Sequence, residues 1–488
     1  MKKALLAFVF LALAPLPAAA QSLFVNPFAD AATYRSERGT LNNATFRARY
    51  EVTRIGRDGA PVVSELILDV ADDWALAREG DRVRLHDFRF NRVFTLSADS
   101  FTGTNAMGEL VFRIMERQNR TYLQRIIAAA GAQAELPDAC DAESELSLVL
   151  PGSPDAGVTE IRERRGVFTL RCADREIGHF TAGDGAAPPP AFWPTIYNEM
   201  GTHPALHRRV REHGRAPAAM DNSFRDGAGG QARRAWRLIA IETVTTPYPL
   251  DPAFRNATAD ALDQLVPRAG RAGVEAVAGR HLGGAPTLES WGAYLRETSR
   301  RDGEEAAGML LNSTFNMFPE LQCTNPNVHI ACELIFRARE MRDPGPWAVI
   351  EVGIAEQRND NAGAIAAMTR GQNSRFRDHP ALGASFALAV LKFSENDLAQ
   401  ARAANLPVDV AALQNRALVA YPYNPGYWTD VGDRYGRAYE WPSAFLFYDV
   451  AYALPLPSIS TNPLLSAKRA GMERIRRDFP DAFLPATP

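Results

Sequence analysis

At 488 residues the chain exceeds what one ordinary hydrophobic core organises, so two domains are expected. With 46% apolar and 23% charged residues it has the composition of a folded protein, which excludes low-complexity sequence as its main content. The formal net charge of -3 gives no reason to expect nucleic acid or an anionic membrane as partner, and the 54 basic residues are nearly all arginine, the lysines being Lys2, Lys3, Lys392 and Lys468.

Residues 1–20 read as a secretory signal peptide of bacterial form. Lys2 and Lys3 lead, Ala4 to Leu13 form a short apolar run, and Ala18, Ala19 and Ala20 give a small-residue cleavage site. No cysteine follows that site, so lipid attachment there is not expected, and no later run approaches transmembrane length. The expectation is a periplasmic or secreted protein beginning near Gln21. Cysteine usage suits export: Cys140 is expected to pair with Cys172, and Cys323 with Cys332. Their spacing matches neither a CxxC motif nor a zinc ligand set, which favours disulfides over metal.

The next stretch is strand-like. Runs at 44–54, 62–70, 74–78, 82–87 and 92–96 favour strand, and turn signals such as Arg57-Asp58-Gly59 and Glu79-Gly80-Asp81 separate them. An antiparallel meander follows, with alternation in Arg82-Val83-Arg84-Leu85-His86 setting one face inward. A helix over about 107–130, with Leu110, Val111, Ile114, Met115, Tyr122, Ile126 and Ile127 as its apolar stripe, is expected to cover the open face of the sheet. Further strands are expected at 145–150, 167–172 and 176–181. Residues 182–190, rich in Gly, Ala and Pro, look like a linker, and a last hairpin at 220–225 and 233–244 moves the domain boundary to about residue 250.

Beyond that point apolar residues recur at helical intervals in 259–266, 288–298, 306–318, 335–342, 347–356, 381–391 and 408–419. Short polar or proline-containing turns between them suit paired antiparallel helices. A final helix from Asn462-Pro463 to about residue 477 carries Lys468, Arg469, Arg474, Arg476 and Arg477 on its outside.

One stretch organises this half. In Pro425 to Pro457, Trp428, Val431, Gly432 and Tyr435 share one face of a first helix, while Ala444, Tyr448 and Ala451 share one face of a second. Glu440-Trp441-Pro442 makes the turn between them, and Pro455 and Pro457 close the unit. This pattern resembles the tetratricopeptide repeat, with Val431 in place of the usual leucine. Degraded copies run back to about residue 286: Leu382, Gly383 and Phe386 with Ala417 and Pro422, interrupted by an insertion at 394–407, and Trp291, Ala307, Leu311 and Pro319. A lone repeat cannot bury its apolar face, so the resemblance implies a stack with the helix at 463–477 as its polar cap. In that family ligands lie in a groove lined by first-helix positions, which here implies Thr429, Asp433 and Arg437. Tyr439 and Trp441, aromatics with a polar tip, extend that surface. More faintly, the run Glu79 to Leu96 with a helix after it resembles periplasmic lipoprotein-carrier domains, which implies a sheet that holds acyl chains. The simpler alternative is a sheet filled by its own helix.

Chemistry finds less support. Glu199, His203 and His207 have the i, i+4, i+8 spacing of a metal-binding helix face, but Pro204 separates them onto two elements. Asp138, Asp141, Glu143 and Glu145 lack calcium-loop spacing, and Asp72 with Asp73 reads as a polar turn. No nucleophile elbow, P-loop, HExxH or dinucleotide fingerprint occurs. The expected class is α+β: an antiparallel sheet domain at 21–250, then an all-α domain at 251–488 that resembles a tetratricopeptide solenoid. The expected function is that of an exported, non-enzymatic adaptor without cofactor or metal, holding an envelope protein or peptide. A lipid or lipoprotein carrier and an envelope-polymer hydrolase or its accessory remain as alternatives.

Overall fold

The computed structural model describes residues 24–55, 59–112, 159–172, 175–200, 204–225, 231–280, 286–321, 323–327, 329–457 and 459–484. The expected signal peptide, Cys140 with its pairing to Cys172, the strand at 145–150 and most of the helix at 107–130 lie outside the described residues. The strands are β1 (Ala44–Ile55), β2 (Pro61–Val70), β3 (Trp74–Glu79), β4 (Arg82–Asp87), β5 (Arg92–Leu96), β6 (Ser100–Asn105), β7 (Thr159–Arg164), β8 (Val167–Cys172), β9 (Arg175–Thr181), β10 (Ala219–Arg225), β11 (Gln231–Thr246) and β12 (Arg255–Asn256). In the amino-terminal part the helices are α1 (Ala31–Arg38), α2 (residues 106–112 as described), α3 (Phe192–Met200) and α4 (Pro204–His213). The rest follow in order: α5 (Thr258–Leu265), α6 (Ala269–Val277), α7 (Leu288–Asp302), α8 (Glu304–Gly308), α9 (Leu311–Met317), α10 (His329–Arg337), α11 (Gly345–Gln357), α12 (Asn361–Gln372), α13 (Pro380–Val390), α14 (Glu395–Ala403), α15 (Val410–Ala420), α16 (Pro425–Arg437), α17 (Trp441–Ala453) and α18 (Pro463–Asp478). The class is α+β, a sheet region followed by a helical region.

The twelve strands among the described residues belong to one sheet, in the order β12-β6-β5-β4-β3-β2-β1-β11-β10-β9-β8-β7. Two meanders meet where β1 pairs antiparallel with β11, from Ala44 opposite Thr246 to Ile55 opposite Arg233. β12 adds a short parallel edge on β6, so the sheet takes a strand from beyond residue 250.

The pleat sorts side chains by chemistry. Along β1, Phe46, Ala48, Tyr50 and Val52 turn inward, while Arg47, Arg49 and Glu51 turn outward. The outward residues form a ladder of opposite charges: Arg47 and Arg78 on Asp69, Arg49 on Glu65, and Arg237 on Glu51. Most are half exposed, so each exposed pair contributes only about 0–1 kcal/mol. The inward face carries the stabilising burial.

That inward face is covered by α3 and α4, whose Phe192, Ile196, Leu206 and Val210 pack with Phe46, Tyr50, Leu68, Phe180 and Trp236. The helices that cover this face come from the segment that directly follows the expected linker, and of the helix expected at 107–130 only residues up to 112 are described. Met107, Leu110 and Val111 on α2 instead pack against Ala444, Phe445 and Tyr448 of α17. The second face of the sheet at β3 to β6 is covered as well, by α1. Its Tyr34 sits edge-on to Phe90, Phe94 and Phe101 with ring centroids 5.8, 5.1 and 6.0 Å away. Trp74, Ala75, Leu76 and Ala77 are consequently all buried in sequence, which hides the alternation a one-sided strand would show.

Charges tie these layers. Arg38, buried at the end of α1, donates from Nε to Asp87 Oδ2 at 2.8 Å, and Tyr248 Oη donates to the same oxygen at 2.8 Å. The Arg38 guanidinium also lies 4.7 Å from the Tyr248 ring centroid. The sheet joins the helical region through a second buried pair: Arg92 Nη2 on β5 lies 2.7 Å from Asp449 Oδ2 on α17, with side chains 1% and 0% exposed. Asn105 Nδ2 donates to the other carboxylate oxygen at 3.4 Å.

In the helical region α16 packs on α17, α11 on α12, and α13 on α15. The expected insertion at 394–407 contains α14, whose start is fixed by a capping box between Ser394 and Asp397. Trp291 and Trp428 are fully buried, and each indole nitrogen is satisfied: Trp291 Nε1 donates to Thr314 Oγ1 at 2.9 Å and Trp428 Nε1 to the Pro422 carbonyl at 2.6 Å. Cys323, in the loop after α9, and Cys332, on α10, form a disulfide. Closing so short a loop is worth roughly 2.5 kcal/mol by loop-closure entropy. No helix among the described residues is long and apolar enough to cross a membrane.

Burial pushes the Asp449 carboxyl up to about 6 despite Arg92, so desolvation outweighs the attraction between the two charges. Asp449→Ala strands a buried guanidinium and should lower the urea-unfolding free energy by about 3–5 kcal/mol. The double variant Arg92→Met with Asp449→Leu should recover most of that loss. A double variant no more stable than the single one would show that shape, and not stranded charge, sets the cost.

Candidate functional site

The turn from α16 to α17 builds an open cleft. Asn424 caps α16 by accepting from the Gly426 amide at 2.9 Å, and Pro425 occupies the first helical position, where a missing N–H costs nothing. Two glycines then bring the helices together. A β-carbon on Gly432 would lie 2.5 Å from Tyr448 Cε1 and 3.1 Å from the Ala444 carbonyl, and one on Gly436 would lie 3.0 Å from the Trp441 ring. The helix closes at Tyr439, whose φ of 63° is left-handed and unusual for an aromatic residue. That reversal leaves Tyr439 41% exposed at the rim.

Asp433, Gly436, Arg437, Tyr439, Trp441 and Tyr448 line the resulting cleft, which encloses about 360 Å³. Asp433 Oδ1 accepts from Tyr448 Oη and from Lys468 Nζ of α18, each at 2.5 Å. The Lys468 ammonium also lies 4.6 Å from the Tyr448 ring centroid. Arg437 is exposed and donates from Nη1 to the Leu391 carbonyl at 3.1 Å, at the C-terminal end of α13. Asp430, one turn before Asp433 on α16, is half-buried. Burial first, and then the charge of Asp433, push its carboxyl up to about 8, so at neutral pH it holds its proton.

Of the residues singled out from sequence, Asp433, Arg437, Tyr439 and Trp441 fall together in this cleft. Thr429 does not. It is fully buried and its Oγ1 donates back to the Gly426 carbonyl at 2.9 Å, so it serves the helix and not the groove. Asp430 was not singled out from sequence, although its i−3 spacing from Asp433 on the same helix was a signal that could have found it. Lys468 was assigned only an outer face of the last helix, and nothing local shows that it reaches a carboxylate 35 positions away. Phe445 faces α2 and is closed off by it.

The remaining candidates are structural. Pro204 opens α4, so Glu199 and His207 lie on different helices, while His203 is outside the described residues. Glu199 Oε1 lies 2.6 Å from His86 Nε2 and accepts from Arg84 Nη1 at 2.9 Å, which pins α3 to β4. His207 is buried edge-on to Tyr197 at 5.0 Å, and desolvation brings its imidazole down to about 4, so it is neutral. Among the described residues no group of three His, Cys, Asp or Glu side chains could hold a metal ion. A second surface cleft of about 310 Å³ is lined by Pro188, Pro190, Trp193, Pro194, Arg211, Gly214 and Phe483.

No protein-family model matches the chain, and no curated protein matches it.

The Glu199 cluster predicts acid behaviour with a definite sign. Burial opposes ionisation, but the His86 hydrogen bond and charge, then Arg84, override it and hold the carboxyl down at about 2. The stabilisation is therefore complete above the ordinary glutamate value near 4.5 and is lost as pH falls through 2, roughly 3 kcal/mol in all. Urea melts should show Glu199→Gln destabilised at pH 6 and nearly equal to the unmodified protein at pH 2. Equal destabilisation at both values would remove the charge from the explanation.

Proposed function

We propose that the protein is an exported, non-enzymatic adaptor that holds an extended segment of a partner protein in the cleft at the turn between α16 and α17. The observation that carries this reading is the convergence of Asp433, Arg437, Tyr439 and Trp441 on one open surface. Rigid aromatic rings, flanked by both signs of charge, suit peptide recognition at low entropic cost; Tyr439 offers its hydroxyl at the rim, while the indole nitrogen of Trp441 is buried. The most exposed aromatic ring there, Tyr439, is held at the rim by a left-handed backbone with φ 63°. A helical stack of tetratricopeptide type would present such a surface along its concave side, and the Cys323–Cys332 disulfide is compatible with residence outside the cytoplasm. A carrier of acyl chains would need an apolar cavity between sheet and helices. In the described part of the sheet Phe46, Tyr50, Phe180, Phe192, Ile196 and Trp236 fill that layer.

One observation favours a second reading, cleavage of an envelope polymer: Asp430, whose carboxyl is raised by burial and by the charge of Asp433, lies one helical turn from Asp433 of the aromatic-lined cleft, a pairing that acid catalysis can use. Against it, Asp433 is neutralised by Lys468 and tied to Tyr448.

A photo-crosslinking residue placed at Tyr439 should give a discrete adduct with one envelope protein in living cells, whereas the same residue at Ile239, on the exposed sheet, should not. Adding Asp433→Ala with Arg437→Ala should reduce the adduct about tenfold or more. Equal labelling from both positions would remove the adaptor reading. Release of soluble fragments from cell-wall polymer, lost on Asp430→Asn, would replace it with the hydrolase.

A further inference from the structure

A short stretch of chain just before α1 runs through the seam between the sheet and the helical region. Between Phe24 and Phe28 it sends side chains into three separate cores. Phe24 stacks on Tyr452 of α17 with ring centroids 3.5 Å apart and packs with the cluster that holds Met107, Phe445 and Phe483. Val25 packs with the cluster that α1 makes over β3 to β6. Phe28 enters the helical core, where a β-carbon on Gly273 of α6 would lie 2.8 Å from Phe28 Cζ and 3.0 Å from Trp428 Cη2. Asn26 and Pro27 make the turn that lets so short a segment face several ways: Asn26 Oδ1 accepts from the Phe28 amide at 2.9 Å, and the Asn26 carbonyl accepts from the Ala29 amide at 3.3 Å.

The main chain of this strap is held by side chains from three elements, and not by a strand ladder. Arg92 Nη2 of β5 donates to the Val25 carbonyl at 3.3 Å, and Tyr34 Oη of α1 donates to the Asn26 carbonyl at 2.8 Å. Asn256 Nδ2 of β12 donates to the carbonyls of Pro27 and Ala29 at 2.9 and 2.7 Å. Donors that read the backbone while pockets take separate side chains are how a groove holds a peptide. Arg92 is also the guanidinium that pairs with Asp449, so the strap shares one donor with the ion pair that joins the two regions.

We propose that this seam is a peptide-binding groove, that its occupant is the chain's own segment 24–29, and that the helical region stays docked on the sheet only while the groove is filled. The strap is a built-in ligand whose two phenylalanines, four positions apart, are its anchors. Without it the Arg92 guanidinium loses an acceptor, and the apolar surfaces of Tyr452, Trp428 and α6 that meet the phenylalanines are left facing water. Because the ligand is tethered, it acts at an effective concentration of order 1 mM, so each contact can be modest and a loosened strap leaves a groove that a free peptide of the same pattern can enter. The strap acts in this way whatever the cleft between α16 and α17 holds.

The test places spin labels at Ile239 on the sheet and at Phe336 on α10, which are 50% and 76% exposed, and reads the distance between them by pulsed electron resonance. With the strap intact the pair should give one narrow distribution. Phe24→Ala with Phe28→Ala should broaden it. The acetylated, amidated peptide of residues 24–31, Phe-Val-Asn-Pro-Phe-Ala-Asp-Ala, should restore the narrow distribution at concentrations of order 1 mM, and the same peptide with both phenylalanines replaced by alanine should not. Asn256→Asp is the second variant. It keeps the Oδ1 that accepts from the Thr258 amide at 2.9 Å but turns the donor to Pro27 and Ala29 into an acceptor, so it should broaden the distribution and resist rescue. A narrow distribution in Asn256→Asp would overturn the proposal even where the alanine pair does not fold. Broadening in the alanine pair that the peptide does not reverse would overturn the groove, leaving residues 24–29 as a fixed part of the core.

Discussion

The joint between sheet and helices depends on the buried pair Arg92 and Asp449. A salt bridge with side chains 1% and 0% exposed is an expensive way to join two elements, because desolvation cancels most of the attraction. A guanidinium on β5 buried without its carboxylate would be costly, which penalises any docking of the helical region that separates the pair. Asn105, at the end of β6, completes the same carboxylate, and the chain passes from there directly into α2.

That docking shapes the cleft. Once Asp449 is fixed, α17 presents Phe445 and Tyr448 to α2, and one side of the helix pair is closed. The other side, at the turn beyond Arg437, stays open because Tyr439 reverses the chain in a left-handed conformation. Lys468 then arrives from α18 and neutralises the one carboxylate that Tyr448 also holds. The recognition surface is thus what remains uncovered after two contacts, one apolar and one ionic, have been satisfied.

Much of the fold was legible. Strands β1 to β5 fall within one or two residues of their expected limits, because turn signals and β-favouring runs are local. The starts of α16 and α18 were legible for the same reason: Asn424-Pro425 and Asn462-Pro463 each place a capping side chain before a proline. Besides elements such as α1, α6 and β12, for which no run was assigned, two groups of elements escaped. β6 and β7 are short strands whose hydrophobic pattern is weak, and α3 and α4 lie just past a Pro-rich stretch that masked the apolar face of Phe192, Ile196, Leu206 and Val210. The helix expected to cover the sheet was assigned by its stripe alone, and a stripe does not say what it packs against.

The sequence by itself determined the local terms: where helices begin, where strands alternate, which glycines permit close approach, and which aromatic and charged residues crowd around the turn at 437–441. It could place Asp433, Arg437, Tyr439 and Trp441 near one another because each lies within about a helical turn of the next. Tertiary structure alone decided the pairing of β1 with β11, the burial of Thr429, the closing of Phe445 by α2, and the arrival of Lys468 at Asp433. Each of these joins residues far apart in the chain. Such contacts are chosen by the total burial and charge balance of the folded molecule, a quantity that no local window contains.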